Sequence, residues 1–451
     1  MTSLTRTLTR LLYPGGPALW IPVLAIIFRL GSSTTASLCY FLLAFYALHG
    51  RVQAIQALML SWLFSMLSSG IAPGVPMAAV GRYAVVFAAA ASVLTFSRSW
   101  RNSATQMTFF LGLFLVLHSL LFSPVVDVSV LKATSWMVVM VTLIAAWGGL
   151  ADEVRSRLVD QVFAVLTLLM LLSIPLLVLP LGYLTSGTGF QGVFSHPQSF
   201  GPAMALLCAW GVGQMLSQRR PTWSSVALVG MCLSMVALSE ARTAGVALVL
   251  GVGVAIMMVT GFRRGHGMVL PGLRSARFQF VVVFSVLGLI VAAASVNRFI
   301  TDFIAKGDQA EVSGLLGAYE DSRGPLMEKM WANIEKDSWV GIGFGIASNH
   351  EEMAVARDPL LGLPVSASIE KGVLPLAVLE EVGVIGFALT ALWILMLFKR
   401  TTRGGITPTA VSVTALLLNM GESTLFSPSG FGLLPLILLG WAFSTTSRPR
   451  A

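Results

Sequence analysis

The residues with the most useful chemistry in this 451-residue chain stand at polar breaks between apolar runs. Arg242, in Ser239-Glu240-Ala241-Arg242-Thr243, joins two long apolar segments with almost no turn between them. An arginine at the bilayer centre costs about 2.5–3.5 kcal/mol even on lenient insertion scales, so one kept near the end of a span needs a reason. Either it snorkels or pairs with Glu240, or its planar guanidinium grips phosphate oxygens in a bidentate fashion. His196, in Gly192-Val193-Phe194-Ser195-His196-Pro197-Gln198-Ser199-Phe200-Gly201, stands where another apolar span begins. Imidazole titrates near neutrality and can act as acid, base or phosphate donor, while a histidine before proline also caps or packs a helix start. Arg323, in Asp321-Ser322-Arg323, heads a segment with Met327, Met330, Trp331 and Ile334 at i, i+3, i+4, i+7. That spacing predicts an amphipathic helix lying on the membrane or capping the bundle. Arg323 is then a solvated surface charge or a second phosphate ligand facing Arg242.

The elements that must position these groups are apolar helices. The chain is 56% hydrophobic and 11% charged, with a mean hydropathy of +0.82, whereas soluble proteins carry about 25% charged residues. A hydrocarbon core needs about 20 apolar residues per helix, and windows of that length give about fourteen candidates. They begin near residues 17, 34, 52, 79, 106, 130, 158, 198, 222, 242, 277, 373, 406 and 431. With the N-terminus placed in the cytoplasm, basic residues fall on alternate turns: Arg6 and Arg10, Arg51, Arg98 and Arg101, Arg155 and Arg157, Arg219 and Arg220, Arg263 to Arg277, Lys399 to Arg403, Arg448 and Arg450. The opposite short turns hold little beyond Arg29, Arg82, Lys132 and Arg242. This is the positive-inside pattern of a multi-pass protein of a bacterial inner membrane with both termini cytoplasmic. The net charge of +9 is therefore a topology signal, and nucleic-acid binding is excluded as its explanation.

One long polar segment, residues 297–372, separates a bundle over 1–296 from C-terminal spans over 373–451. It holds twelve of the twenty carboxylates against seven Lys and Arg, so it is about five charges negative while the rest is about fourteen positive. On this topology it is an outer, periplasmic loop. Within it, Gly341-Ile342-Gly343-Phe344-Gly345 follows no strand, so the glycines predict a tight turn against the spans and not a nucleotide site. Cys39, Cys208 and Cys232 fall inside spans and read as small core residues. No D-x-D, H-E-x-x-H, C-x-x-C or Walker A pattern occurs, and Glu335-Lys336-Asp337, the nearest approach to an acidic pair, belongs to the exposed face of the loop helix. Neither a metal site nor a cofactor site is expected. Catalysis without them rests on arginine electrostatics.

Taken in order, several of these segments resemble the O-antigen ligase and polysaccharide polymerase superfamily, over about residues 180–445. Residues 192–201 resemble its G-x-F-x-H-P-N-x-x-G, Ser239 to Thr243 its S-x-S-R-T, and Ser322-Arg323 through Trp331 to Gly341-Ile342-Gly343 its loop helix. Glu381-Val382-Gly383-Val384-Ile385-Gly386 resembles E-x-G-x-I-G, and Asn419-Met420-Gly421-Glu422 with the tail from Gly430 to Trp441 resembles the C-terminal hairpin. The resemblance implies an all-α membrane protein of 12–14 transmembrane helices, similar to C-type glycosyltransferases. It also implies substrates carried on undecaprenyl diphosphate, with membrane lipids and polysaccharide export or chain-length proteins as further partners. Arg242 and Arg323 would hold the pyrophosphate, and His196, Glu240, His350, Lys371 and Glu422 would line the substrate. Ligases of this family carry a His-Asn pair about nine residues before the E-x-G glutamate, where this chain has Gly372-Val373. That departure favours a polymerase over a ligase, with Glu370 as the replacement base. A transporter or flippase of lipid-linked sugars is the rival class, against which stand the absence of visible related halves and the gathering of polar residues outside the bilayer.

Overall fold

The computed structural model describes residues 20–95, 102–185, 189–262, 270–283, 314–357, 362, 364–367 and 371–445. Their dominant elements are α-helices: α1 Trp20–Gly31, α2 Ser33–Ala47, α3 Arg51–Met66, α4 Ala78–Leu94, α5 Ser103–Phe122, α6 Val126–Gly148, α7 Asp152–Ser173, α8 Pro197–Ser217, α9 Trp223–Leu238, α10 Arg242–Phe262, α11 Gly314–Lys336, α12 Leu374–Gly404, α13 Ile406–Leu417 and α14 Leu433–Ser444. Each of the apolar windows from the sequence carries a helix that starts within a few residues of the expected place, although the window from 277 is described only as far as 283. Among the described residues six helices are long and apolar enough to cross a membrane, namely α5, α6, α7, α8, α10 and α12. The protein is thus a multi-pass, all-α membrane protein.

Local chemistry fixes several helix starts. His196 caps α8, its Nδ1 accepting the Gln198 N–H at 3.1 Å, with Pro197 in the first turn. Ser32 and Thr35 form a reciprocal capping box that separates α1 from α2 by a single residue. At 12 and 15 residues these two helices are short for a full crossing. Indole rings knit the centre: Trp136 of α6 lies 5.6 Å from Trp393 of α12 and 4.9 Å from Phe426, and its N–H donates to the Leu425 carbonyl at 3.1 Å. Cys39, Cys208 and Cys232 are buried free thiols in this core.

The turns gather at two ends. At the basic end Arg51 donates to the Gly149 carbonyl, Arg155 to those of Trp147 and Leu150, and Arg400 to Asn102 and Ser103. At the other, the polar end, Arg29 donates to the carbonyls of Phe64 and Pro73. There the Ser195 N–H also reaches Met66 O at 2.8 Å, and that of Phe190 reaches Leu238 O at 2.9 Å. The long polar segment joins this second end. Besides α11 it carries a short antiparallel ribbon, β1 Val355–Arg357 with β2 Pro364–Ala367.

Two features of α11 differ from the spacing argument. The helix begins at Gly314, upstream of Asp321-Ser322-Arg323, and runs through Pro325. Of the four apolar residues, Met330 (1% exposed) and Ile334 are buried and Met327 is half-buried, but Trp331 is 51% exposed and donates its indole N–H to Glu335 at 2.7 Å. The amphipathic stripe is narrower than its spacing suggests, because the indole has a polar handle that finds its partner on the outer face. Met330→Ala is accordingly expected to cost about 2–5 kcal/mol, whereas Trp331→Ala stays within about 0.5 kcal/mol. Thermal unfolding of the purified protein, followed with a thiol-reactive dye that reports exposure of the three buried cysteines, distinguishes them. Equal losses for the two would contradict this packing.

Candidate active site

The site is built where α12 breaks. Gly383 adopts φ 63°, ψ −172° inside that helix, a left-handed conformation that only glycine takes readily. The break withdraws backbone partners from the preceding turn, and the glycine run of the loop replaces them. The N–H of Ile342 donates to Glu380 O at 2.9 Å, that of Gly343 to Glu381 O at 3.0 Å, and that of Val384 to Ser338 O at 2.9 Å. Gly341, Gly343 and Gly345 all have positive φ. A Cβ at Gly341 would stand 2.5 Å from Glu380 O and one at Gly343 would stand 2.8 Å from Ser123 Cα, so the close approach itself requires glycine. The run is a turn pressed into the bundle by backbone pairing, which is how irregular backbone is tolerated at membrane depth.

Beneath this turn lies a buried set of charges. The Lys371 ammonium, with a side chain 1% exposed, is 2.7 Å from Glu380 Oε2 and 3.2 Å from Glu381 Oε1. The remaining carboxylate oxygens are also occupied: Asn333 of α11 donates to Glu380 Oε1 at 2.7 Å, and the Gly345 N–H donates to Glu381 Oε2 at 2.7 Å. His118 of α5 donates from Nε2 to Val340 O at 2.7 Å, since a carbonyl can only accept. Lys132 of α6 runs its stem under Gly345 and places its ammonium 5.7 Å from the centre of the Phe344 ring. One ammonium therefore ties α12 to residue 371, and its two carboxylates tie α12 to α11 and to the glycine turn.

Around this anchor the polar end draws separate segments together. The Ser423 N–H donates to Lys371 O at 3.0 Å, which fixes Gly421-Glu422-Ser423 beside residue 371. Gly421 packs directly on Thr243, next to Arg242 at the start of α10. On the other side of α10, Gly201 of α8 packs on Ser239 and Ala241, and Gly189 packs on Ser239 and Pro197. The chain turns sharply into α10 through Glu240, a non-glycine residue with φ 54°. Arg242, Glu422 and His196 are exposed, and Glu240 is half-buried.

The residues singled out from sequence thus divide. His196, Glu240, Arg242, Lys371 and Glu422 lie on segments that meet at this end. His196 spends its Nδ1 on the helix cap, and Lys371 is enclosed in the ion pairs, so it supports the site from beneath instead of facing its opening. His350 is exposed in the turn before β1. The backbone places Arg323 on α11, and Glu370 lies outside the described residues. Sequence reasoning passed over Glu380, Asn333, His118 and the pairing role of Glu381. The available signal was two consecutive carboxylates inside an otherwise apolar span, a costly pattern that requires a partner.

Among the described residues no cluster of His, Cys, Asp or Glu has the makings of a metal site. The arrangement offers an exposed guanidinium at the start of α10, where the positive end of the helix dipole adds to its charge. A floor of buried, fully partnered charges supports it. Such a combination suits an anionic group approached from the membrane surface. No protein-family model matches this chain, and no curated protein matches it either.

Proposed function

We propose that the protein polymerises oligosaccharide repeat units carried on undecaprenyl diphosphate, at the outer face of a bacterial inner membrane. The observation that carries this reading is the convergence on one membrane end of Arg242, His196 and Glu422 from three separate segments. Beside them the loop is locked onto α12 through Lys371. The resemblance of the same segments to the ligase and polymerase superfamily supports the choice of reaction.

In this reading an acceptor sugar hydroxyl attacks the anomeric carbon of the donor chain. The new glycosidic C–O bond forms as the bond to the diphosphate breaks, and the proton of the hydroxyl passes to a carboxylate base, Glu370. Polyprenyl diphosphate leaves with the bonding pair. Arg242, with Arg323 from the loop helix, binds the diphosphate and stabilises the charge that develops on it, an interaction stronger in the transition state than before it. The buried Lys371 contributes by holding the Glu422 turn in place. With Gly372 where ligases carry histidine, elongation is preferred over transfer to a different acceptor.

The test is genetic and chemical together. A strain lacking the protein should accumulate single lipid-linked repeat units while long chains disappear, because polymerisation precedes any later transfer. Glu370→Gln, expressed at normal abundance, should reproduce part of that defect. Long lipid-linked chains persisting in the deletion strain would return the protein to the ligase or transporter class.

A further inference from the structure

The opposite, basic end holds a second feature, independent of the reaction proposed above. Between Asp160 and Asp302 the sequence contains one carboxylate, Glu240, and it belongs to the polar end. Over the same stretch the basic end gathers Arg219, Arg220, Arg274 and Arg277. The structure brings them into one corner. The short turn Pro271–Arg274 is pressed through Gly272 onto the backbone of Met215 and Leu216 at the end of α8. Arg277 then donates to the Pro221 carbonyl and lays its guanidinium over Trp223, 5.3 Å from the ring.

Three arginines elsewhere at this end are engaged by protein. Arg51, Arg155 and Arg400 each donate to a carbonyl or side chain of the bundle. Arg219, Arg220 and Arg274 are exposed and donate to no protein acceptor among the described residues. Beside them Trp223 and Phe280 pack edge to face, centroids 5.7 Å apart, and both remain exposed (57% and 41%). Exposed indole and phenyl rings next to unpaired guanidinium groups mark the depth at which acyl chains give way to headgroups. Four like charges held together without a carboxylate repel one another unless an anion sits among them, and guanidinium groups bind phosphate in bidentate fashion.

We propose that this corner is a binding site for the phosphate of an anionic phospholipid, with Arg219, Arg220 and Arg274 on the headgroup and the Trp223–Phe280 pair against the first carbons of its chains. Arg277 is the positioning residue that props Trp223 and closes the corner onto Pro221.

Native mass spectrometry of the purified full chain tests this, with dioleoylphosphatidylglycerol and dioleoylphosphatidylcholine supplied at equal concentration. The phosphatidylglycerol adduct is expected to survive activation at least tenfold better than the phosphatidylcholine adduct. The combined variant Arg219→Gln, Arg220→Gln, Arg274→Gln should lower its retention at least fivefold without changing the unfolding temperature in lipid-free detergent. If the combined variant cannot be purified, Arg274→Gln alone should lower retention at least twofold. Equal retention of the two lipids, or unchanged retention in the variants, would overturn the proposal. Inorganic phosphate that protects against unfolding as well as phosphatidylglycerol does would reassign the corner to a free anion and likewise overturn it.

Discussion

Replacing Lys371 with Met is expected to destabilise the protein by about 3–5 kcal/mol, the usual loss when one partner of a buried ion pair is removed. The reason is geometric. Glu380 is fully buried and Glu381 nearly so, and both lie within 3.2 Å of this single ammonium. Without it, two adjacent carboxylates remain in a dry interior with only Asn333 and the Gly345 N–H to compensate. The loss should be largely recovered by adding Glu380→Gln and Glu381→Gln, since replacing a whole buried ionic set is often close to neutral. Arg357, whose ion pair with Asp127 at 2.6 Å is about half exposed on both sides, provides the contrast, and Arg357→Gln should cost no more than about 1 kcal/mol. Unfolding curves for the three proteins, followed through the buried cysteines, give the comparison. A Lys371→Met protein as stable as the parent would mean that the ion pairs do not hold the loop to α12.

Arg242→Lys is expected to lower polymer formation by about 10- to 150-fold, from the loss of about 1.5–3 kcal/mol of charge-assisted hydrogen bonding. The ammonium keeps the charge and loses the planar fork, so the experiment separates bidentate recognition of a diphosphate from simple charge balance. Stability should hardly change, since Arg242 is exposed at the first residue of α10. Arg323→Lys should act in the same direction if both arginines serve one anion. Full activity of both lysine variants at normal abundance would remove arginine from the proposed chemistry.

The bundle was legible because its helices obey rules that a single sequence displays. Pro197 after His196, the sharp Glu240-Ala241-Arg242 junction and the apolar run from Leu374 each announce a helix start, and the alternation of arginine-rich turns sorts those starts between the two ends. The candidate site was legible only as a set of segments at one end, since His196, Arg242 and Glu422 all lie at helix or turn boundaries. Its floor was not. The union of the glycine turn with α12 is made by backbone N–H and carbonyl groups, which every residue carries and no side-chain pattern reports. Glu381 was visible only as part of a motif, because the partner that explains it, Lys371, lies ten positions away across a helix start. Trp331 matched the apolar spacing and still turned outward, since periodicity records where a side chain points and not whether a polar partner nearby will claim it.

The break in α12 also bears on how the protein is made. Residues 384–398, after Gly383, form an uncharged, largely apolar run of fifteen positions that ends at Lys399. The turn before the break carries Glu380 and Glu381, and charged residues near the centre of an inserting helix are resisted by the translocation machinery at about 2.5–3.5 kcal/mol each. This first half of α12 gains its partners only when it meets Asn333, the glycine turn and Lys371, all of which leave the ribosome before it does. Chain order therefore offers the acidic half, as it emerges, a surface already synthesised to fold against, while the apolar run that follows it threads as a span. A chain from which Asn333 and the glycine turn have been deleted would lack this receptor and leave the carboxylates without those partners, a recognisable signal for membrane quality control.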